Sequence, residues 1–367
     1  MAGPPDTLRY GLIGTGMMGI EHLWNLQHVA GAEVTAIADP HEGSRDLAVL
    51  AAGEGGATFE RFVDHRELLA SGLCDVVVVA TPNHTHLPVM LDVLAHDVHV
   101  LVEKPLATTV AGCRQIIDAA RARPSRAGFV WVGLEYRYMP PVARLVADVH
   151  AGAVGTPRMV AIREHRFPFL AKIGDWNRFS RNTGGTLVEK CCHFFDLMGH
   201  VLEDRPVRVM ASGGQDVNHL DESYDGEVPD IIDNALVVVD FAGGARASLD
   251  LCMFAEASEN QEEISVVGDT GKVEAFLPSC EVRLGTRSTG RPGVSTEVVH
   301  DARVAYEGFH HGSSYLEHLD LADAVRSGAQ PAVGLEEGLM SVAVGVAAHR
   351  SIDEGRVVTL DEVLADG

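Results

Sequence analysis

Short apolar runs alternate with helix-length stretches through the first third of the chain. Tyr10-Gly-Leu-Ile13 predicts a strand, followed by a glycine turn and a helix through about Ala30. Glu33 to Asp39 predicts a second strand, and Ser44 is placed to cap a short alanine-rich helix. Asp64-His-Arg-Glu67 has the form of a capping box ahead of Leu68 and Leu69. Asp75 to Ala80 is a valine run closed by Thr81-Pro82, and His99 to Val102 is a further strand closed by Glu103-Lys104-Pro105. Phe129 to Tyr138 reads as the last strand of this part. These runs are apolar continuously rather than at alternate positions, as in a parallel sheet covered on both faces. The β-α-β rhythm predicts an α/β domain of the doubly wound, Rossmann type.

The rhythm changes at about residue 137. A helix over 141–150 and a strand over 158–166 are followed, from Pro206 onward, mainly by strands. These are expected at 207–212, 234–241, 246–254, 263–267, 272–276 and 281–284. Gly243-Gly244 and Asp269-Thr-Gly271 between them have hairpin turn chemistry. Residues 1–137 are therefore expected to form the nucleotide-binding domain. Residues 138–367 are expected to form an α+β domain with a large, mostly antiparallel open sheet. Two helices close the chain, one starting at Ser314 with Glu317 completing a capping box, the other over 336–352.

Gly14-Thr15-Gly16-Met17-Met18-Gly19 follows the first strand and opens the first helix. Gly14 allows the tight turn. Gly16 lets a pyrophosphate reach the backbone at the helix N-terminus, and Gly19 lets helix and strand approach closely. Asp39 ends the second strand 20 residues after Gly19, where a carboxylate accepts from both adenosine ribose hydroxyls and repels a 2′-phosphate. Pro40, not an arginine, follows it. This favours NAD over NADP.

Thr81, Pro82, Asn83 and His86 follow the valine strand, and Glu103 and Lys104 end the next one. Loops at the carboxyl ends of parallel strands line the ligand crevice of such folds. Helix-start chemistry explains part of the first segment, since Thr85 or His86 is placed to cap. Lys104 stands out in a chain with four lysines against 25 arginines. Lysine, unlike arginine, gives up a proton when desolvated, which suits acid–base work on an alcohol. A structural ion pair with Glu103 is the plainer reading of the same residues.

Thr183 to Asp196 reads as one helix, with Thr186, Glu189, His193, Asp196 and His200 on one face and an apolar stripe behind. Glu189 and His193 would then lie one turn, about 6 Å, apart. The polar stripe suggests a cleft wall. Glu-x-x-x-His also has metal-ligand spacing, but no Cys/His pair of zinc spacing accompanies it, and no metal is assigned. Trp176, in a polar loop, is a candidate for shielding a ring-shaped ligand, and His310 and His311 for binding hydroxyls.

The length of 367 residues accommodates about two domains. The net charge of −23, with most of the acidic surplus in 138–367, argues against nucleic-acid or anionic-membrane partners. No apolar run approaches the roughly 20 residues of a membrane span, and Met1 to Asp6 show no basic, apolar signal pattern. Six cysteines without a Cys-x-x-Cys predict reduced thiols in a cytoplasmic protein.

These motifs together resemble the Gfo/Idh/MocA family of glucose–fructose oxidoreductases and inositol dehydrogenases. The resemblance rests on Gly11 to Gly19, Ala80 to His86, Val102 to Leu106, Gly152 to Pro157, Trp176, Gly184-Gly185 with His193, and Val267 to Gly271. It implies a Rossmann domain followed by an open-sheet domain that carries a homo-oligomer contact. It also implies an NAD-dependent enzyme acting on a sugar or cyclitol. By the same resemblance Lys104 matches the catalytic lysine and His193 the histidine of the second-domain helix. Many members carry Asp where this chain has Glu189, and Lys190-Cys191-Cys192 replaces small residues, so inositol specificity is not carried over directly.

The reading is then a dehydrogenase of a cyclic polyol. Lys104, His193 and Glu189 are the catalytic candidates, and either Lys104 or His193 serves as proton acceptor. Trp176 is expected at the cofactor. Arg137, His165, Trp176, Lys190, His310 and His311 are expected at the substrate. Two alternatives share the cofactor residues: a glycoside hydrolase or lyase that retains its NAD through transient sugar oxidation, and a nucleotide-sensing regulator without catalysis.

Overall fold

The computed structural model describes residues 7–53, 58–124 and 127–366. The segment Met1–Asp6, on which the absence of a signal pattern was read, lies outside them. In chain order the first elements are β1 (Leu8–Ile13), α1 (Met17–Leu26), β2 (Ala32–Ala38), α2 (Glu42–Ala51), β3 (Glu60–Phe62) and α3 (His65–Ala70). They continue as β4 (Val76–Val79), α4 (His86–Leu94), β5 (His99–Glu103), α5 (Val110–Arg121) and β6 (Val130–Gly133). The strands form one parallel six-stranded sheet in the order β3-β2-β1-β4-β5-β6. All four valines of β4 are fully buried, as the unbroken apolar run required. The strand order reverses between β1 and β4, which places the ligand crevice at their carboxyl ends.

The remaining elements are α6 (Pro140–His150), β7 (Pro157–His165), α7 (Ser180–Thr183), α8 (Thr186–Glu189), α9 (Cys192–Leu202), β8 (Pro206–Gly214) and β9 (Asn234–Phe241). They continue as β10 (Arg246–Cys252), β11 (Glu262–Gly268), β12 (Gly271–Leu277), β13 (Glu281–Thr286), β14 (Ser295–Val298), α10 (Ser313–Ser327), α11 (Leu335–Glu354), β15 (Val358–Thr359) and α12 (Leu360–Asp366). A nine-stranded sheet runs β14-β13-β12-β11-β7-β10-β9-β8-β15. Its pairs are antiparallel except β7 with β10. The alternating burial of β9, β10 and β11 gives this sheet one covered face and one open face.

Contacts divide the chain into two compact units. The first holds the residues through Glu135 together with Arg303–Leu339, and the second holds Tyr136–Ala302 with the residues from Met340 on. Arg303–Leu339 thus groups by its contacts with the first unit, across the single boundary expected at 137. The reason is long-range: in α10 the Glu317 carboxylate accepts from the Trp131 indole at 2.9 Å, and Ser314 donates to Glu135. Glu317 is thus not part of a capping box, and Gly312, in a left-handed conformation, precedes the helix instead.

Other expectations shift locally. The first helix ends at Leu26, not Ala30, and α2 is capped by the His41 ring accepting from the Ser44 amide at 3.1 Å rather than by Ser44 itself. Asp64 caps α3 through a single side-chain bond, accepting from the Arg66 amide, rather than through the reciprocal pair of a capping box. The sixth strand stops at Gly133, and Glu135–Tyr138 form a 3-10 turn ahead of Pro140-Pro141. Prolines donate no ladder hydrogen bond, so the strand cannot continue into them. All six cysteines are unbridged, and no helix among the described residues is long and apolar enough to cross a membrane.

Candidate functional site

The glycine loop after β1 divides its work as the residue types require. A Cβ on Gly14, whose φ is +90°, would lie 2.6 Å from the Ala80 carbonyl, and one on Gly19 would lie 2.1 Å from the Gly14 carbonyl. A Cβ on Gly16 would meet nothing within 4 Å. Gly16 precedes α1 with no side-chain cap, so the helix N-terminus stands open as an anion cradle. Asp39 is held beside it. Its Oδ2 accepts from the Thr15 amide at 2.8 Å and its Oδ1 from the His41 amide at 2.8 Å. Oδ2 also accepts from the Thr15 hydroxyl at 3.3 Å, while Oδ1 keeps a second lone pair for a ribose hydroxyl. Met17 is exposed and Met18 half-buried at the same helix start. The sequence noted no arginine directly after Asp39. Six residues on, in the first turn of α2, the Arg45 guanidinium donates to the Asp39 carbonyl at 2.6 Å.

The loop after β4 carries Thr81 and Pro82 half-buried and Asn83 buried. The Asn83 side-chain amide nitrogen has no hydrogen-bond partner among the described residues, an unmet donor that a bound polar ligand or water would satisfy. These features fit a nicotinamide dinucleotide: an open glycine cradle, a fixed carboxylate and an unmet donor at the carboxyl ends of the strands. His86 has a structural task instead, its ring nitrogens lying 2.7 Å from the Pro105 carbonyl and 3.0 Å from that of Thr81. Burial lowers its pKa, although both carbonyls oppose the shift.

Lys104 is half-buried at the end of β5, and its backbone amide donates to Glu103 Oε2 at 3.2 Å. Glu103 is otherwise committed to His22, at 2.9 Å, whose other nitrogen lies 2.9 Å from His318. Burial alone would raise the Glu103 carboxyl, but the bond and charge of His22 outweigh it and hold it below the usual range. The Glu103 carboxylate is thus paired with His22, and the Lys104 charge also acts on it. His310 joins Glu21 at 3.2 Å and Glu135 at 3.3 Å, and His311 is half-buried in a left-handed backbone conformation.

In the second unit the segment read as one helix is divided between two, α8 and α9, with α7 ending at its first residue. Gly184 and Gly185 have φ of +82° and +85° and separate α7 from α8, and Lys190-Cys191 separate α8 from α9. A side chain at 185 is excluded, because its Cβ would meet the His349 ring at 2.4 Å. That ring accepts from the Leu187 amide at 3.1 Å. Glu189 and His193 consequently sit on successive helices, 6% and 3% exposed. The His193 imidazole stacks flat on Tyr136, centroids 4.0 Å apart at 8°. Asp196 takes the Arg137 guanidinium in two bonds of 2.6 and 2.5 Å. Lys190 is 5% exposed and bound to Glu164 and Tyr136. His165 lies 3.2 Å from Asp250. Trp176 is half-buried in a 3-10 turn, with the Lys172 ammonium over its ring. Among the described residues no group of three or more His, Cys, Asp or Glu is arranged to hold a metal ion.

Sequence reasoning missed His22, Tyr136, Glu164 and Glu262. For the two glutamates a signal existed. Each shares strand parity with buried apolar neighbours, Val160 and Ile162 on β7 and Ile264 and Val266 on β11. A carboxylate in phase with core positions demands a partner. Tyr136 and His22 carried no such signal.

Comparison with known proteins covers both units. Residues 8–132 match an oxidoreductase family's NAD-binding Rossmann fold, and residues 147–360 match the same family's C-terminal alpha/beta domain. A myo-inositol 2-dehydrogenase of Thermotoga maritima is 29% identical over 97% of this chain and 100% of its own. An inositol 2-dehydrogenase of Saccharopolyspora erythraea is 29% identical over 98% of each. The crystal structure of an oxidoreductase domain protein from Kribbella flavida superposes with a TM-score of 0.85 at 22% identity, over 97% of this chain and all of that one.

Proposed function

The chain belongs to the Gfo/Idh/MocA oxidoreductase family, and from that premise we propose that it is an NAD-dependent dehydrogenase of a cyclitol or cyclic sugar. The observation that carries the reading is the open cradle at Gly16 beside a carboxylate fixed by two backbone amides. Gly14 to Met18 would hold the pyrophosphate, Asp39 the ribose, and Thr81 to Asn83 the neighbouring portion of the dinucleotide. Bound there, the nicotinamide supplies a hydride acceptor. Asp39 is charged, fixed and nearly buried, which favours a ribose hydroxyl over a 2′-phosphate. Its removal would leave the Arg45 cation without that repulsion.

On the substrate side, Lys104 and His193 are proposed to serve one secondary hydroxyl. His193 takes the proton, and the Lys104 ammonium stabilises the developing alkoxide by charge. Glu189 is proposed to orient the imidazole or bind a neighbouring hydroxyl. The inositol dehydrogenases among its relatives make a cyclitol the first substrate class to try. The open face of the nine-stranded sheet exposes Met159, Met210, Leu236, Val238 and Val267. An apolar face of this kind supports a homo-oligomer contact.

The test is NADH formation with myo-inositol, other cyclitols and pyranosides, each with NAD and NADP. Reduction of NAD on a cyclic polyol is expected, with NADP at least tenfold weaker in wild type and gaining in Asp39→Ala. Equal use of NADP by wild type would overturn the cofactor assignment. Silence across the whole panel would overturn the substrate class.

A further inference from the structure

Glu164 and Glu262 are direct cross-strand partners on β7 and β11, 0% and 2% exposed. Two buried carboxylates in register repel. Lys190 answers them: its Nζ lies 3.0 Å from Glu164 Oε1 and 2.5 Å from the Tyr136 hydroxyl. Arg166 adds a second cation to Glu164 at 3.4 Å, and Gln261 donates to Glu262 at 2.6 Å. Burial, then the Glu164 charge, pushes the Glu262 carboxyl up to about 7, so it shares its strand pair with a proton near neutrality. The far end of this array is the Tyr136 ring, flat on His193 and edge-on to Phe194 at 5.6 Å.

We propose that Lys190 is a positioning residue for His193, acting through Tyr136. The proposal rests on the reading of His193 as the proton acceptor. Glu164 fixes the ammonium, the ammonium fixes the tyrosine hydroxyl, and the tyrosine ring fixes the plane of the imidazole. Rotation of the imidazole about its Cβ–Cγ bond would break the parallel stack, and the ring cannot swing away while its hydroxyl is anchored. Lys190 was expected at the substrate. Its buried ammonium, engaged by Glu164 and Tyr136, instead makes it part of the wall behind the base. The charged and titratable groups on α8, α9 and the elements packed against them include Lys190, Glu189, His200, His349 and His150, the Arg137–Asp196 pair, and Glu164, Glu262 and Arg166 from the sheet side. Of these, Lys190 is the cation bound to the residue that touches His193. Its charge disfavours a second positive charge on the imidazolium.

The experiment uses the full chain with NAD and the best polyol of the panel, comparing Tyr136→Phe, Lys190→Met, Lys190→Arg, the Tyr136→Phe/Lys190→Met double variant and His193→Ala. Tyr136→Phe keeps the ring and its packing, so it reports even if Lys190→Met folds poorly. Each of Tyr136→Phe and Lys190→Met is expected to lower kcat roughly ten- to a hundredfold, as for a misplaced catalytic group, with KM changed less than about twofold. The double variant is expected to be no worse than the poorer single, and Lys190→Arg to recover part of the loss. The His193 ring resonance, assigned by its loss in His193→Ala, should titrate at higher pH in Lys190→Met. Wild-type kcat in Tyr136→Phe, or losses that multiply in the double variant while His193→Ala is inactive, would overturn the positioning role alone. Full activity in His193→Ala would overturn the reading of His193 and the positioning role with it.

Discussion

The glycine loop of the first unit and the α8–α9 segment of the second are both polar sites at the start of a helix, yet they are built from different material. The loop is made of backbone. Three positions must lack a side chain, and each for a separate reason: a Cβ would strike Ala80 at one, strike Gly14 at another, and fill an open cradle at the third. The α8–α9 segment is made of side chains drawn from Tyr136, Glu164, Lys190, Glu262 and His349. A backbone site demands particular residue types at fixed spacing. A side-chain site demands only that distant residues meet.

The largest effect that would sharpen this comparison belongs to Lys104. Lys104→Ala is expected to abolish measurable turnover, a loss beyond the 10²–10⁴-fold typical of acid–base catalysis, while the NAD Kd stays within about twofold. Lys104→Arg should also lose most activity, since the planar guanidinium does not place a compact charge where the ammonium meets the alkoxide. Near-wild-type kcat in Lys104→Arg would show that any cation at this position suffices.

His193→Ala should cost roughly 10²–10⁴-fold in kcat and remove the acid limb of the kcat/KM pH profile. Glu189→Gln should raise KM more than it lowers kcat, the signature of lost binding. A Glu189→Gln variant as inactive as His193→Ala would make the carboxylate part of the proton transfer itself.

Within the glycine loop the contrast is between binding and stability. Gly16→Ala should fold normally, with an unchanged Tm, and weaken NAD by roughly tenfold, about 1.4 kcal/mol. Gly19→Ala must displace a backbone carbonyl, an overpacking cost of about 1–3 kcal/mol seen as a lowered Tm. Identical behaviour of the two variants would break the division of roles.

The smallest effect is in the pH dependence of stability, where one histidine in each unit acts with opposite sign. In the second unit burial, followed by the charge of Arg137, lowers His200 to about 4. The unfolded chain, with an imidazole near ~6.5, takes the proton first, so stability falls as pH drops from there to about 4. In the first unit burial opposes the charge on His22, but Glu103 prevails and raises its pKa. That contribution is complete below ~6.5 and is lost as pH rises through the raised value. Urea titrations across pH should show the acid-side slope flattened in His200→Gln and the alkaline-side loss removed in His22→Gln.

Much of the fold was open to inspection in the residues, because continuous and alternating apolar patterns report parallel and antiparallel sheets directly. Asn234–Phe241 has the bounds its alternation predicts. The parts that escaped are those decided by partners far along the chain. Periodicity carried a single helix through Thr183–Asp196, while the structure breaks it where Gly185 abuts His349 and where Lys190 turns to Glu164. The apolar spacing of α10 said nothing of its place in the first unit, which Trp131 and Glu135 secure. Glu164 and Glu262 were legible through strand parity, but their shared partner Lys190 was not.

Hydride transfer from a ring carbon to the nicotinamide is the central claim, and a deuterium label tests it most directly. The cyclitol that turns over best, carrying deuterium on its ring carbons, would be incubated with wild-type protein and NAD, and the recovered cofactor examined by NMR. The account predicts NADH with deuterium at C4 of the nicotinamide, in one-to-one amount with the ketone formed. Product formation with no deuterium on the released cofactor would contradict it.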